Sequence, residues 1–160
     1  TTAQVGFAYG TVGILALSAG GLLGGYAIYR KGLKFWLWIM VFVMHVPDLV
    51  FVYLSQTLPR DFLLINGAIA LEQFGYGFGF TAYTMYMIMI SEGECKTVFY
   101  AISTGIMALG MMVPGMFSGW VQEALGYRDF FLWIIVSTLP GFIVPALVRI
   151  DPGFGRREKR

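Results

Sequence analysis

Polar and apolar positions in this chain fall into long blocks rather than into short alternations. Five apolar runs, about Gln4–Ile28, Phe35–Leu54, Phe62–Ile90, Thr97–Val121 and Phe130–Ile150, are separated by short charged breaks. Each run reaches the roughly 20 helical residues that cross a hydrocarbon core of about 30 Å. Alternation of period two is weak, so strands are not expected. Helices satisfy their own backbone groups, which lipid cannot do. The pattern predicts an all-α, polytopic transmembrane helix bundle of about five spans over residues 1–152, followed by a loose basic tail at 153–160.

Composition strengthens this reading. Of the 160 residues, 58% are hydrophobic and 12% charged, against roughly 25% charged in soluble domains. So few charges cannot coat a soluble protein of this size. The net charge of +2 gives no footprint for nucleic acid, and the single Cys95 excludes a disulfide within the chain. One His and one Cys are too few for a metal site, and no cofactor is expected. The chain opens on Thr1 with no leader and runs straight into an apolar stretch, which reads as a fragment with earlier helices missing.

The charges also orient the bundle. With five spans, Arg30, Lys31, Lys34, Lys96, Arg149, Arg156, Arg157, Lys159 and Arg160 share one side, nine of the eleven basic residues, and Arg60 and Arg128 lie on the other. Basic loops are retained in the cytoplasm. The C-terminus is therefore expected there, with the tail close to anionic lipid.

Ionisable residues at membrane depth are costly and mark pathways or partners. Glu72 lies ten residues into the third run, about 15 Å along a helix and so near the midplane. Gly75, Tyr76, Gly79, Tyr83 and Tyr86 share its face at the helical period. Such a stripe of one acid, glycines and phenols suits a cavity for a polar solute such as a sugar; it also suits a helix seam in which Glu72 bonds a neighbour. His45 and Asp48 share a face of the second run beside Pro47. They read either as a proton relay or as a local contact at a proline kink. Glycine pairs four apart, Gly20/Gly24, Gly75/Gly79 and Gly115/Gly119, predict close helix contacts. Gly75-Tyr76-Gly77-Phe78-Gly79 follows no strand, so a phosphate-binding loop is rejected. His45, Asp48 and Ser18 or Ser103 could in principle form a hydrolytic group, but their spacing does not favour one.

Two stretches resemble a known family. Gly25-Tyr26-Ala27-Ile28-Tyr29-Arg30-Lys31-Gly32-Leu33-Lys34 is similar to the signature loop of the major facilitator superfamily, Gly-x-x-x-Asp-Arg-x-Gly-Arg-Lys, with Gly25, Arg30, Gly32 and Lys34 matching. Tyr29 replaces the acid that helps latch the gate in that family, which implies a latch made differently here. Glu72-Gln73-Phe74-Gly75-Tyr76-Gly77-Phe78-Gly79 resembles the Glu-Asn-x-x-x-Gly-x-Gly segment of AmpG-like muropeptide permeases. Ala108-Leu109-Gly110, Pro114-Gly115, Ser118-Gly119-Trp120, Glu123 to Tyr127, Phe130-Phe131-Leu132 and Leu139-Pro140-Gly141 follow in the order of that family's last helices; Met111 stands where an Arg is expected. The resemblance covers nearly the whole chain and implies helices eight to twelve of twelve, in the C-terminal half of a major-facilitator-type fold. It implies secondary transport across a bacterial inner membrane, coupled to protons, with a small-molecule solute of the muropeptide kind as cargo. The missing N-terminal half would be its partner, and a related eukaryotic branch carries acetyl-CoA. A structural subunit of a membrane complex and, behind it, a membrane-embedded enzyme remain as other classes.

Overall fold

The computed structural model describes residues 2–59 and 61–157, and every regular element among them is helical. There are five helices: α1 Thr2–Lys31, α2 Leu33–Thr57, α3 Phe62–Ile90, α4 Lys96–Leu125 and α5 Tyr127–Leu147. α1 contains a π-helical stretch at Ala8–Gly13. It ends at Gly32, whose φ of 88° a residue with a side chain rarely adopts. α2 breaks at Val46–Pro47 into Leu33–His45 and Asp48–Thr57, because proline removes a backbone donor and its ring crowds the preceding turn. Asp61 starts α3 by accepting from the Leu63 N–H at 2.9 Å. Gly126, at φ 80°, turns α4 into α5.

The helices alternate in direction, as their register shows. Gly20 and Gly24 of α1 meet Phe74 and Phe78 of α3 in the same order, so these two run parallel. Gly75 and Gly79 of α3 meet Val43 and then Met40 of α2, in reverse order. Phe51 against Phe131 and Phe42 against Phe142 set α2 antiparallel to α5.

α3 is the centre of the bundle, and glycines put it there. A Cβ on Gly77 would strike the Leu17 carbonyl of α1, and one on Gly20 the Phe74 carbonyl. On the other side, a Cβ on Gly75 would strike the Val43 carbonyl, and one on Gly79 would lie 2.5 Å from the Met44 Cβ. Backbones this close gain dispersion contacts that lipid tails cannot match. Ile28, Leu33, Leu37, Met40, Phe78 and Ala82 complete the core between these three helices. α4 contributes no buried residue and leans on α5 and the end of α3.

α1, α2, α4 and α5 are long and apolar enough to cross a membrane. α3 is long enough, at 29 residues or roughly 43 Å. It falls short of the same apolarity because it carries Asn66, Glu72, Gln73, Thr81 and Thr84. The five-span expectation thus meets five helices, of which four satisfy both criteria.

One expectation is corrected at the C-terminal end. The last helix stops at Leu147, close to the approximate bound at Ile150, and Val148 is extended (ψ 139°). Gly153–Arg157 are docked, not loose. The Arg157 N–H donates to the Tyr29 carbonyl at 2.9 Å, and the Phe154 carbonyl accepts from the Leu33 N–H at 3.1 Å. The physical reason is that helix ends leave backbone groups unpaired. This segment serves the end of α1 and the start of α2 together, while Val148, Ile150 and Phe154 pack on the core. Arg60, Lys159 and Arg160 lie outside the described residues.

Candidate functional site

The polar residues singled out in the sequence do not all go to one place. Gly75 and Gly79 face the α2 backbone and belong to the seam. Tyr86 packs against the core cluster. Glu72 and Tyr76 stay half-buried, and Tyr83 is exposed. Tyr76 stacks on Phe80 with ring centroids 5.6 Å apart, and Phe80 leads on to Tyr83 at 6.2 Å. Tyr76 and Phe80 also wall a groove of about 300 Å³ against Leu17 and Gly21 of α1. Across it the Thr81 hydroxyl lies 3.0 Å from the Gly77 carbonyl and 3.3 Å from that of Gly21.

Glu72 is where three helices bring ionisable groups together. Its Oε2 accepts from Gln73 Nε2 at 2.9 Å. Tyr76, one turn on along its own helix, and Tyr9, in the π-helical turn of α1, lie within electrostatic reach of it. Asp48 of α2 is in turn the charged neighbour of Glu72. Tyr9 carries no mark of this role in the sequence. No spacing rule links it to Glu72, since their proximity depends on which helix packs beside α3. A tyrosine in a Gly-rich turn was the only available signal.

His45 and Asp48 do meet, with Nδ1 and Oδ2 3.5 Å apart. That is long for a hydrogen bond, and the pair becomes ionic only when the imidazole is protonated. The far side of the His45 ring faces α5, lying 5.3 Å from the Phe142 ring. Gly141 leaves room for it, since a Cβ there would come within 3.2 Å of Nε2. Between His45 and Asp48, the Pro47 ring sits 3.0 Å from where a Gly75 Cβ would be. The break in α2 is thus wedged against α3 one turn from Glu72. Neither Ser18 nor Ser103 hydrogen-bonds His45 among the described residues. No group of three His, Cys, Asp or Glu that could hold a metal occurs among them either.

A second cavity, of about 360 Å³, opens between the first turns of α1 and α3, the end of α2 and the start of α5. Phe51, Phe62, Tyr127 and Phe131 supply aromatic walls. Tyr9 lines it as well, and so joins this cavity to the Glu72 cluster.

At the opposite end, Gly32 makes the turn of the signature-like loop, and nothing lies within 4 Å of where a Gly25 Cβ would be. Arg30 turns back on Tyr26, its Nη1 donating to the phenol at 3.2 Å. Lys34 lies exposed at the start of α2. The loop's backbone ties run to the C-terminal segment through Tyr29 and Leu33.

The chain is 25% identical over 146 residues to the anhydromuropeptide permease of Escherichia coli K12, covering 91% of this chain and 30% of that protein. It is 23% identical over 142 residues to a Rickettsia felis protein named "Putative transporter AmpG 1", covering 89% and 31%. The chain therefore spans about a third of the length of these relatives. No family model matches it, and no solved structure does. The chain is a distant, partial homologue of AmpG-like permeases, and homology and helix bundle together support a role in membrane transport.

Proposed function

We propose that this bundle is one part of a secondary active transporter of the major facilitator type, which takes up a sugar- or muropeptide-like solute together with protons across a bacterial inner membrane. The observation that carries the proposal is that Tyr9, Tyr76 and Asp48, from three helices, lie within electrostatic reach of Glu72, and that Tyr9 also lines an aromatic-walled cavity. A carboxyl at this depth is costly unless it serves a pathway. Glu72 can carry a proton in one state and accept hydrogen bonds from solute hydroxyls in the other. Tyr76 and Tyr83 offer phenols and ring faces to a sugar. His45 and Asp48, astride the α2 break, pass or hold a second proton. Gly25, Arg30, Gly32 and Lys34 form the gating loop. The remaining helices of the transporter would face this unit and complete the site, as sites between two helical halves require.

The test is uptake of labelled anhydro-muropeptide by the full-length protein in proteoliposomes. An imposed inward proton gradient is expected to drive accumulation above the outside concentration, and a protonophore to collapse it. Equal accumulation with and without the gradient would oppose proton coupling, and no saturable flux for any glycan or glycopeptide would oppose the transport proposal.

Orientation belongs to the same proposal. Cys95 is exposed between α3 and α4, at the end that carries Arg30, Lys34 and Arg149. If that end is cytoplasmic, Cys95 resists an impermeant maleimide added to intact cells and reacts in inverted vesicles. Rapid labelling of sealed cells would reverse the assignment.

A further inference from the structure

Where α2 begins and α5 ends, the two helices leave a cavity of about 380 Å³ between them. Lys34 and Arg149 both line it. Their positions follow from the chain on either side. Leu33 is fully buried and its N–H is tied to the Phe154 carbonyl, so Lys34, the next residue, starts α2 at a fixed place facing outward. Beyond Leu147 the helix has ended and Val148 is extended. Val148 packs inward, and Arg149 is left exposed.

Among the described residues, no acid pairs with either cation. Two positive groups sharing one cavity repel each other, and a bound anion removes that cost. The rest of the wall is apolar. Leu37, Trp38 and Pro145 lie one turn deeper into the helices, and Trp38 is 42% exposed. An indole at this level is typical of the boundary between headgroups and hydrocarbon. A cavity with two cations at its mouth and an apolar, tryptophan-flanked floor fits a ligand with an anionic head and an apolar body. A small free anion would leave the floor empty. Charges that only fix orientation need no shared cavity at all.

We propose that Lys34 and Arg149 form a binding site for the headgroup of an anionic phospholipid, with an acyl chain lying along Trp38. Basic pockets between transmembrane helices at the membrane boundary bind acidic headgroups in this way. The lipid bridges α2 and α5 at the end where the C-terminal segment crosses. A zwitterionic lipid is disfavoured because its own ammonium meets the two cations.

The test is native mass spectrometry of the full-length protein in detergent, with phosphatidylglycerol or phosphatidylcholine added, alongside thermal unfolding of the same samples. The wild-type protein is expected to retain phosphatidylglycerol at about ten- to thirtyfold lower concentration than phosphatidylcholine. Lys34→Gln and Arg149→Gln should each cut that preference severalfold, and the double variant should abolish it. Arg149→Lys should keep most of it. Lys31→Gln should keep all of it, because Lys31 sits over the Phe35 ring and does not line the cavity. A double variant that elutes and melts as wild type yet keeps the preference would overturn the site. So would inorganic phosphate displacing the lipid at low millimolar concentration, which would mark a site for free phosphate.

Discussion

Gly77→Leu is expected to leave no folded bundle. Gly77 is buried at the crossing of α1 and α3, where a Cβ would strike the Leu17 carbonyl and come within 3.1 Å of the Gly21 nitrogen. Both obstacles are backbone, so no side chain can swing aside to make room. Even a single added methyl forces the helices apart, at a cost of about 1–3 kcal/mol. Four heavy atoms would separate α1 from α3 along the whole seam. That seam is most of what fixes α3 at the centre, and in lipid close packing is the main force joining helices. Gly67→Ala on the same helix is the control, since nothing lies within 4 Å of a Cβ there. Size-exclusion profiles and thermal unfolding of the detergent-solubilised full-length protein would decide. Gly77→Ala should melt clearly below wild type, Gly67→Ala near it, and Gly77→Leu should aggregate. A monodisperse Gly77→Leu protein with an unchanged melting temperature would show that α1 and α3 do not pack through this glycine.

Much of this arrangement is legible in the chain because the bilayer is an exacting solvent. Long apolar runs become helices, and charged breaks become turns. Gly32 and Gly126, each within a charged break, supply the positive φ that the turns need. Pro47 breaks α2 for reasons internal to proline. Glu72, His45 and Asp48 stand out because an ionisable side chain inside an apolar run is conspicuous whatever the tertiary fold. What the chain conceals is which neighbour covers which face. Periodicity puts Gly75, Gly79, Tyr76 and Tyr86 on one broad stripe, but α2 takes the glycines and the core takes Tyr86. Tyr9 comes within electrostatic reach of Glu72 because α1 packs beside α3. Val148 and Ile150 read as the end of a helix, since a short apolar run looks the same whether it coils or lies extended against a core. Phe154, a lone aromatic in a basic tail, was the one local sign that the tail docks.

The functional proposal rests most heavily on Glu72. Replacing it by Gln keeps the size of the side chain and both kinds of hydrogen bond. The amide carbonyl that Glu72→Gln introduces could still accept from Gln73 Nε2, which now donates to the Glu72 carboxylate at 2.9 Å. What disappears is the ability to gain and lose a proton. A transporter that couples solute to protons through this carboxyl should then shuttle loaded carriers back and forth but no longer extract work from the proton gradient. If Glu72 only holds the solute, the Glu72→Gln variant should change apparent affinity while gradient-driven uptake persists.

The measurement that separates these outcomes is a paired assay on Glu72→Gln in proteoliposomes, with gradient-driven accumulation and solute-for-solute exchange followed in the same preparation. The account predicts accumulation at least about tenfold below wild type, since a tenfold concentration ratio stands for only about 1.4 kcal/mol of work drawn from the proton gradient, with exchange close to the wild-type rate. A folded Glu72→Gln protein that accumulates solute against its gradient as the wild type does would contradict it.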